Sequence, residues 1–178
     1  MSKPLESDWA AVVNGEEKHL EIAQTTRLVD VLRTHLQLTG TKVSCEVGRC
    51  GACMVLMDGE PVNSCLVMAY QCDGSDITTI EGLHGDEKGT LHPIQQAFVE
   101  EGGFQCGYCT PGMVISTKAL LDAHPEPTQE QIEMGLCGNL CRCTGYGGII
   151  RAVHKAGERC AIKETSAEET VSEPGCRT

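Results

Sequence analysis

The chain has 178 residues, 40% hydrophobic and 22% charged, with a formal net charge of −11 and an isoelectric point of about 4.9. This balance suits a folded globular protein and disfavours phosphate backbones and anionic lipid, so nucleic acid and membrane are set aside as partners. Aromatic residues make up only 3% while cysteines number twelve, so one ordinary domain or two small ones would lean on cross-links or metal. No apolar run approaches the thickness of a bilayer, and Met1 to Trp9 carries neither a signal-peptide core nor a twin arginine. The expected location is cytoplasmic, where thiols stay reduced and dense cysteines read as metal ligands rather than disulfides.

In chain order, Trp9 to Val13 and His19 to Ala23 are apolar-biased runs joined through Asn14-Gly15, a hairpin signal. Leu28, Val31, Leu32 and Leu36 share one helical face, with Thr26 as a candidate cap and Gly40 beyond the end. Residues 41–53 form a cysteine-rich loop. Cys53 to Met57 and Pro61 to Cys65 then flank Asp58-Gly59, a second hairpin signal, and Ile77 to Ile80 offers a last strand. This pattern predicts an α+β domain over residues 1–83. Residues 84–90 read as a polar linker, and residues 91–162 as a helical domain. Its elements are His92 to Glu101, a helix capped by Thr110 with Pro111 at its first position and running to Ala123, a Thr128/Gln131 capping box, and the stripe Ile149, Ile150, Val153, Ala156. The tail 163–178, rich in Glu, Ser and Thr, is expected to be disordered.

Cys45, Cys50 and Cys53 have the spacing C-x4-C-x2-C, and Cys65 is the natural fourth ligand, the plant-type pattern for a [2Fe–2S] cluster. Gly48 and Gly51 would let the loop turn its amides towards sulfur. Structural zinc is the plainer alternative, but zinc knuckles come as two short pairs, whereas three cysteines here crowd one loop. Cys106 and Cys109 form a C-x2-C pair before one predicted helix, and Cys141 and Cys143 a C-x-C pair before another. Helix N-termini favour thiolates through their free N–H groups and dipole. A redox dithiol would leave Cys141 and Cys143 unexplained and lacks a βαβ setting.

Four stretches carry a resemblance to a known family: Cys45 to Cys53 with Cys65, Ile80-Glu-Gly82, Gln105 to Met113, and Gly138 to Tyr146. The chain resembles the small iron–sulfur subunits of the xanthine oxidase family of molybdenum hydroxylases, over nearly its whole length. The resemblance implies an N-terminal β-grasp ferredoxin domain followed by a four-helix-bundle domain. It implies one cluster on Cys45, Cys50, Cys53 and Cys65, and another on Cys106, Cys109, Cys141 and Cys143. It implies a large subunit holding molybdenum-molybdopterin and a medium subunit holding FAD, assembled as a dimer of heterotrimers. Electrons would pass from molybdenum through the helical-domain cluster, then the ferredoxin-domain cluster, to FAD. By the same match Gln105 would hydrogen-bond the pterin and Cys143 would lie closest to it. The alternatives are a free-standing two-cluster ferredoxin and a zinc-stabilised interaction module.

Arg49 and Arg142 lie within the ligand loops, where a positive charge would raise a cluster's potential; a surface arginine is the plainer reading of each. Cys137 is the rival ligand nearest to Cys141, and is taken with Cys72 and Cys160 as a packing residue. Tyr108 and Tyr146, beside the cysteines, are expected to exclude water.

Overall fold

The computed structural model describes residues 6–85 and 89–167 of the chain, with the side chains of 6–7 and 161–167 outside the description. It is α+β, with one five-stranded sheet and five helices. Strands β1 (Glu6–Val13) and β2 (Glu16–Ala23) pair antiparallel around Asn14 and Gly15, whose φ angles of 52° and 78° make the left-handed turn that matches strand twist. Asp58 and Gly59, at 53° and 85°, do the same between β3 (Met54–Met57) and β4 (Glu60–Asn63). Strand β5 (Asp76–Thr78) lies at the centre, parallel to β1 and antiparallel to β3, in the order β2-β1-β5-β3-β4.

Alternation decides the layers. Trp9, Ala11 and Val13 are buried on one face of β1, where they meet helix α1. That helix begins as Leu28–Asp30 and continues as a π-turn over Val31–His35, with Leu36 N donating to Val31 O at 3.0 Å. Thr26 is not its cap: Arg27 takes that position and no side chain caps the helix. On β3, Val55 packs into the α1 layer while Met54 and Leu56 face the other way, onto Ile115. The middle of the sheet is therefore covered on both sides, and this second cover comes from the helical half.

The helical half comprises α2 (Pro93–Glu100), α3 (Thr110–Ala123), α4 (Gln129–Gly135) and α5 (Gly147–Ala167). The Thr128/Gln131 capping box forms as expected. Thr110, by contrast, is already helical, and the cap position falls on Cys109. Helix α5 continues to Ala167, past the point where a tail was expected, and residues 168–178 lie outside the described residues. Phe98, Met113, Leu121, Ile132, Ile149 and Val153 fill the core between these helices. Leu83 joins that core, with Ile80 packed against it, so the end of the sheet half is anchored in the helical half.

Candidate iron–sulfur centres

The first cysteine loop curls because Glu46, Gly48 and Gly51 all take left-handed backbone, at φ 57°, 71° and 67°. That curl aims two amides at Cys45 Sγ, Arg49 N at 3.3 Å and Val47 N at 3.5 Å. These bonds hold the Cys45 thiol at about 6, well below its ordinary value, so it is readily a thiolate. Glu46, the non-glycine member of the curl, is held by Arg27, which also binds Asp30 of α1 at 2.8 Å. The structure brings Cys45 against Cys50. It separately brings Cys53, just before β3, against Cys65, just past the end of β4. This second pair is buried beside Val29, and burial pushes Cys53 up to about 11.

The second group is also assembled in twos. Cys106 and Cys143 are exposed, with their sulfurs 3.7 Å apart. Cys109, at the N-cap of α3, meets Cys141. Burial, then the neighbouring Cys141, raise Cys109 to about 12. Burial alone would raise Cys141 too, but hydrogen bonds from the Thr144 hydroxyl and from nearby amides outweigh it and lower that thiol. Cys143 is raised by Cys106.

This pairing tests which metal group fits. Two thiolates on one tetrahedral metal, with bonds of about 2.3 Å, stand about 3.8 Å apart. The 3.7 Å between Cys106 and Cys143 matches two sulfurs on one metal atom. A single zinc would gather three or four ligands around one ion. Among the described residues no group of three or more His, Cys, Asp or Glu is so placed. Two close pairs of thiols in each half would suit the two metal atoms of a diiron cluster.

The two groups meet across a short backbone contact. Leu140 N, next to Cys141, donates to Cys50 O at 2.9 Å, and Asn139 Nδ2 reaches Gly51 O at 3.5 Å. Tyr108 reaches the same region, its hydroxyl donating to Val43 O. Tyr146 does more than cover: its hydroxyl accepts from Cys141 N and donates to Asn139 O. Nothing in the sequence marks Thr144, Tyr146 and Asn139 for these contacts, because only the folded loop brings their side chains to the ligand backbone.

Gln105 and Arg142 are exposed beside the second group, as Arg49 is beside the first. Phe104 and Tyr108 are exposed on the Cys106 loop, as Val47 and Leu66 are near the first. Cys137 is free and exposed rather than packed. Cys72 is buried beneath the Ala69 carbonyl. Cys160 is buried in the helical core, the packing role expected of it.

Residues 11–81 match the 2Fe-2S iron-sulfur cluster binding domain, and residues 79–154 match the [2Fe-2S] binding domain. The chain is 60% identical to a probable xanthine dehydrogenase subunit of Bacillus subtilis, over 79% of each. It is 50% identical to the nicotinate dehydrogenase small FeS subunit of Eubacterium barkeri, over 84% of this chain and 94% of that one. Among solved structures it resembles quinoline 2-oxidoreductase from Pseudomonas putida 86, with a TM-score of 0.81 and 39% identity, covering 86% of this chain and 94% of that chain. The aldehyde oxidoreductase from Desulfovibrio desulfuricans superposes with a TM-score of 0.83 and 38% identity; 94% of this chain corresponds there to 18% of a longer one.

Proposed function

The chain belongs to the small iron–sulfur subunits of the xanthine dehydrogenase family of molybdenum hydroxylases, and from that premise we propose which residues hold its clusters and how electrons cross it. It is the electron-transfer subunit of a heteromeric oxidoreductase and performs no bond chemistry on substrate. Its two cluster-binding domains are of the 2Fe-2S kind. Cys45, Cys50, Cys53 and Cys65 hold the first cluster, and Cys106, Cys109, Cys141 and Cys143 the second. The observation that carries this assignment is the assembly of the eight thiols as four close pairs.

The sheet order supports a β-grasp ferredoxin domain over 1–83, joined by 84–90 to a helical-bundle domain over 91–162. When bound, the clusters supply one-electron redox steps; the chain supplies their spacing, burial and hydrogen bonding. The Cys106–Cys143 side is exposed, with Gln105 beside it, and these residues would contact the molybdopterin of the large subunit. The Leu140–Cys50 hydrogen bond links the two ligand loops, and the first loop would pass electrons on towards FAD held by a medium subunit. We place this assembly, a dimer of heterotrimers, in the cytoplasm. No helix among the described residues is long and apolar enough to cross a membrane.

The test is iron and EPR analysis of the complex from its native host. Two clusters of two irons require four irons per chain and two distinct signals after reduction. Cys106→Ser and Cys141→Ser should each remove one signal and about half the iron; retention of both signals overturns the ligand assignment. A free monomer carrying both clusters would identify a soluble ferredoxin instead.

A further inference from the structure

We propose that Thr144 and Tyr146 form a hydroxyl clasp on Cys141, in which Thr144 sets the potential of the second cluster and Tyr146 positions the loop. The inference rests on the reading of Cys141 as a ligand. Thr144 Oγ1 donates to Cys141 Sγ at 3.1 Å and accepts from Tyr146 N at 3.2 Å, so its proton is directed at the sulfur. The Tyr146 hydroxyl accepts from Cys141 N at 2.9 Å and donates to Asn139 O at 3.0 Å. The backbone is thereby pinned on both sides of Leu140, whose own N–H donates to Cys50 O. Tyr146 holds φ +66°, a conformation that a bulky residue adopts only when its surroundings impose it.

The chemistry follows from charge. A one-electron reduction places more negative charge on the ligand sulfurs, and a hydrogen bond strengthens as its acceptor becomes more anionic. The Thr144 bond therefore stabilises the reduced state over the oxidised one and raises the potential. One electron enters and one leaves; no covalent bond forms or breaks, and the hydroxyl keeps its proton. The effect is one-sided. Cys141 pairs with Cys109 and adjoins the Leu140–Cys50 contact, whereas Cys106 and Cys143 pair at the exposed side. The clasp thus favours the electron on the side from which it leaves for the first cluster.

The experiment is an EPR-monitored redox titration of the intact complex carrying Thr144→Val, Thr144→Ser or Tyr146→Phe. Thr144→Val should keep all four irons and lower the reduced-to-oxidised ratio of one couple about tenfold at fixed potential, which is 59 mV for one electron, with the other couple unmoved. Thr144→Ser should restore the original value, and Tyr146→Phe should move the same couple in the same direction. Unmoved couples in Thr144→Val, equal movement of both, or a serine variant shifted as far as the valine one would each overturn the clasp. Should the valine variant lose iron, the serine variant decides: original potentials support the clasp and a tenfold shift overturns it. Absence of four irons from the unmodified complex would instead defeat the ligand reading.

Discussion

A methyl group on Gly112 would stand 2.0 Å from the Gly51 carbonyl oxygen, a backbone atom that cannot swing aside. A Cβ on Gly51 would in turn lie 2.7 Å from the Gly138 carbonyl, and Gly51 already needs left-handed backbone. These contacts let the start of α3 touch the first cysteine loop, and so bring the two ligand sets together. Gly112→Ala should cost on the order of 1–3 kcal/mol, the usual penalty of overpacking. Chemical denaturation of the loaded complex measures it, and a change below a few tenths of a kcal/mol would mean that the junction yields.

Helices α2 and α5 are tied by a group of ion pairs. Glu100 binds Lys155 at 2.9 Å and Arg159 at 2.7 Å, while Glu101 binds Lys155 at 2.8 Å and Arg151 at 3.3 Å. The hydrogen bonds from Lys155 and Arg159 depress Glu100 from 4.5 to about 2. A carboxylate with a lowered folded-state pKa contributes stability that is present above its unfolded value and is lost as pH falls through its folded one. The Tm advantage of the unmodified protein over Glu100→Gln should therefore be full at pH 6 and shrink from about pH 5 towards pH 2. Screening should shrink it as well at high salt, because these groups are partly exposed to solvent. A pH-independent difference would show that the pairs contribute nothing through charge.

Across the whole molecule, the two halves share a small core of their own. Ile115 of α3 is fully buried against Met54 and Leu56 of β3, on the face of the sheet that α1 does not cover. Ile115→Ala should destabilise by about 2–5 kcal/mol, the range for an emptied aliphatic site. It should also slow electron equilibration between the clusters in stopped-flow reduction, because the docking that aligns Leu140 with Cys50 loosens. Loss of stability with unchanged transfer would mean that the backbone contact survives without this core.

Much of this was legible before any fold was known. Both hairpin turns are dictated locally, since Asn14-Gly15 and Asp58-Gly59 tolerate the positive φ that such turns require. The helices of the second half follow from apolar period and capping residues, as with Thr128 and Gln131. The eight candidate thiols stand out by spacing. The π-turn after Asp30 left no such mark, because Val31, Leu32 and Leu36 read along the chain as an ordinary helical face. Nor did the shift of the α3 cap from Thr110 to Cys109, which one residue of helical phase decides. Which thiol pairs with which, the closeness of Gly51 to Gly112, and the hydroxyl contacts of Thr144 and Tyr146 join atoms far apart in the chain or on opposite sides of a curled loop. Local chemistry determined the elements and the donors; only packing in three dimensions decided their pairing, because spacing along a backbone leaves the angle between two elements free.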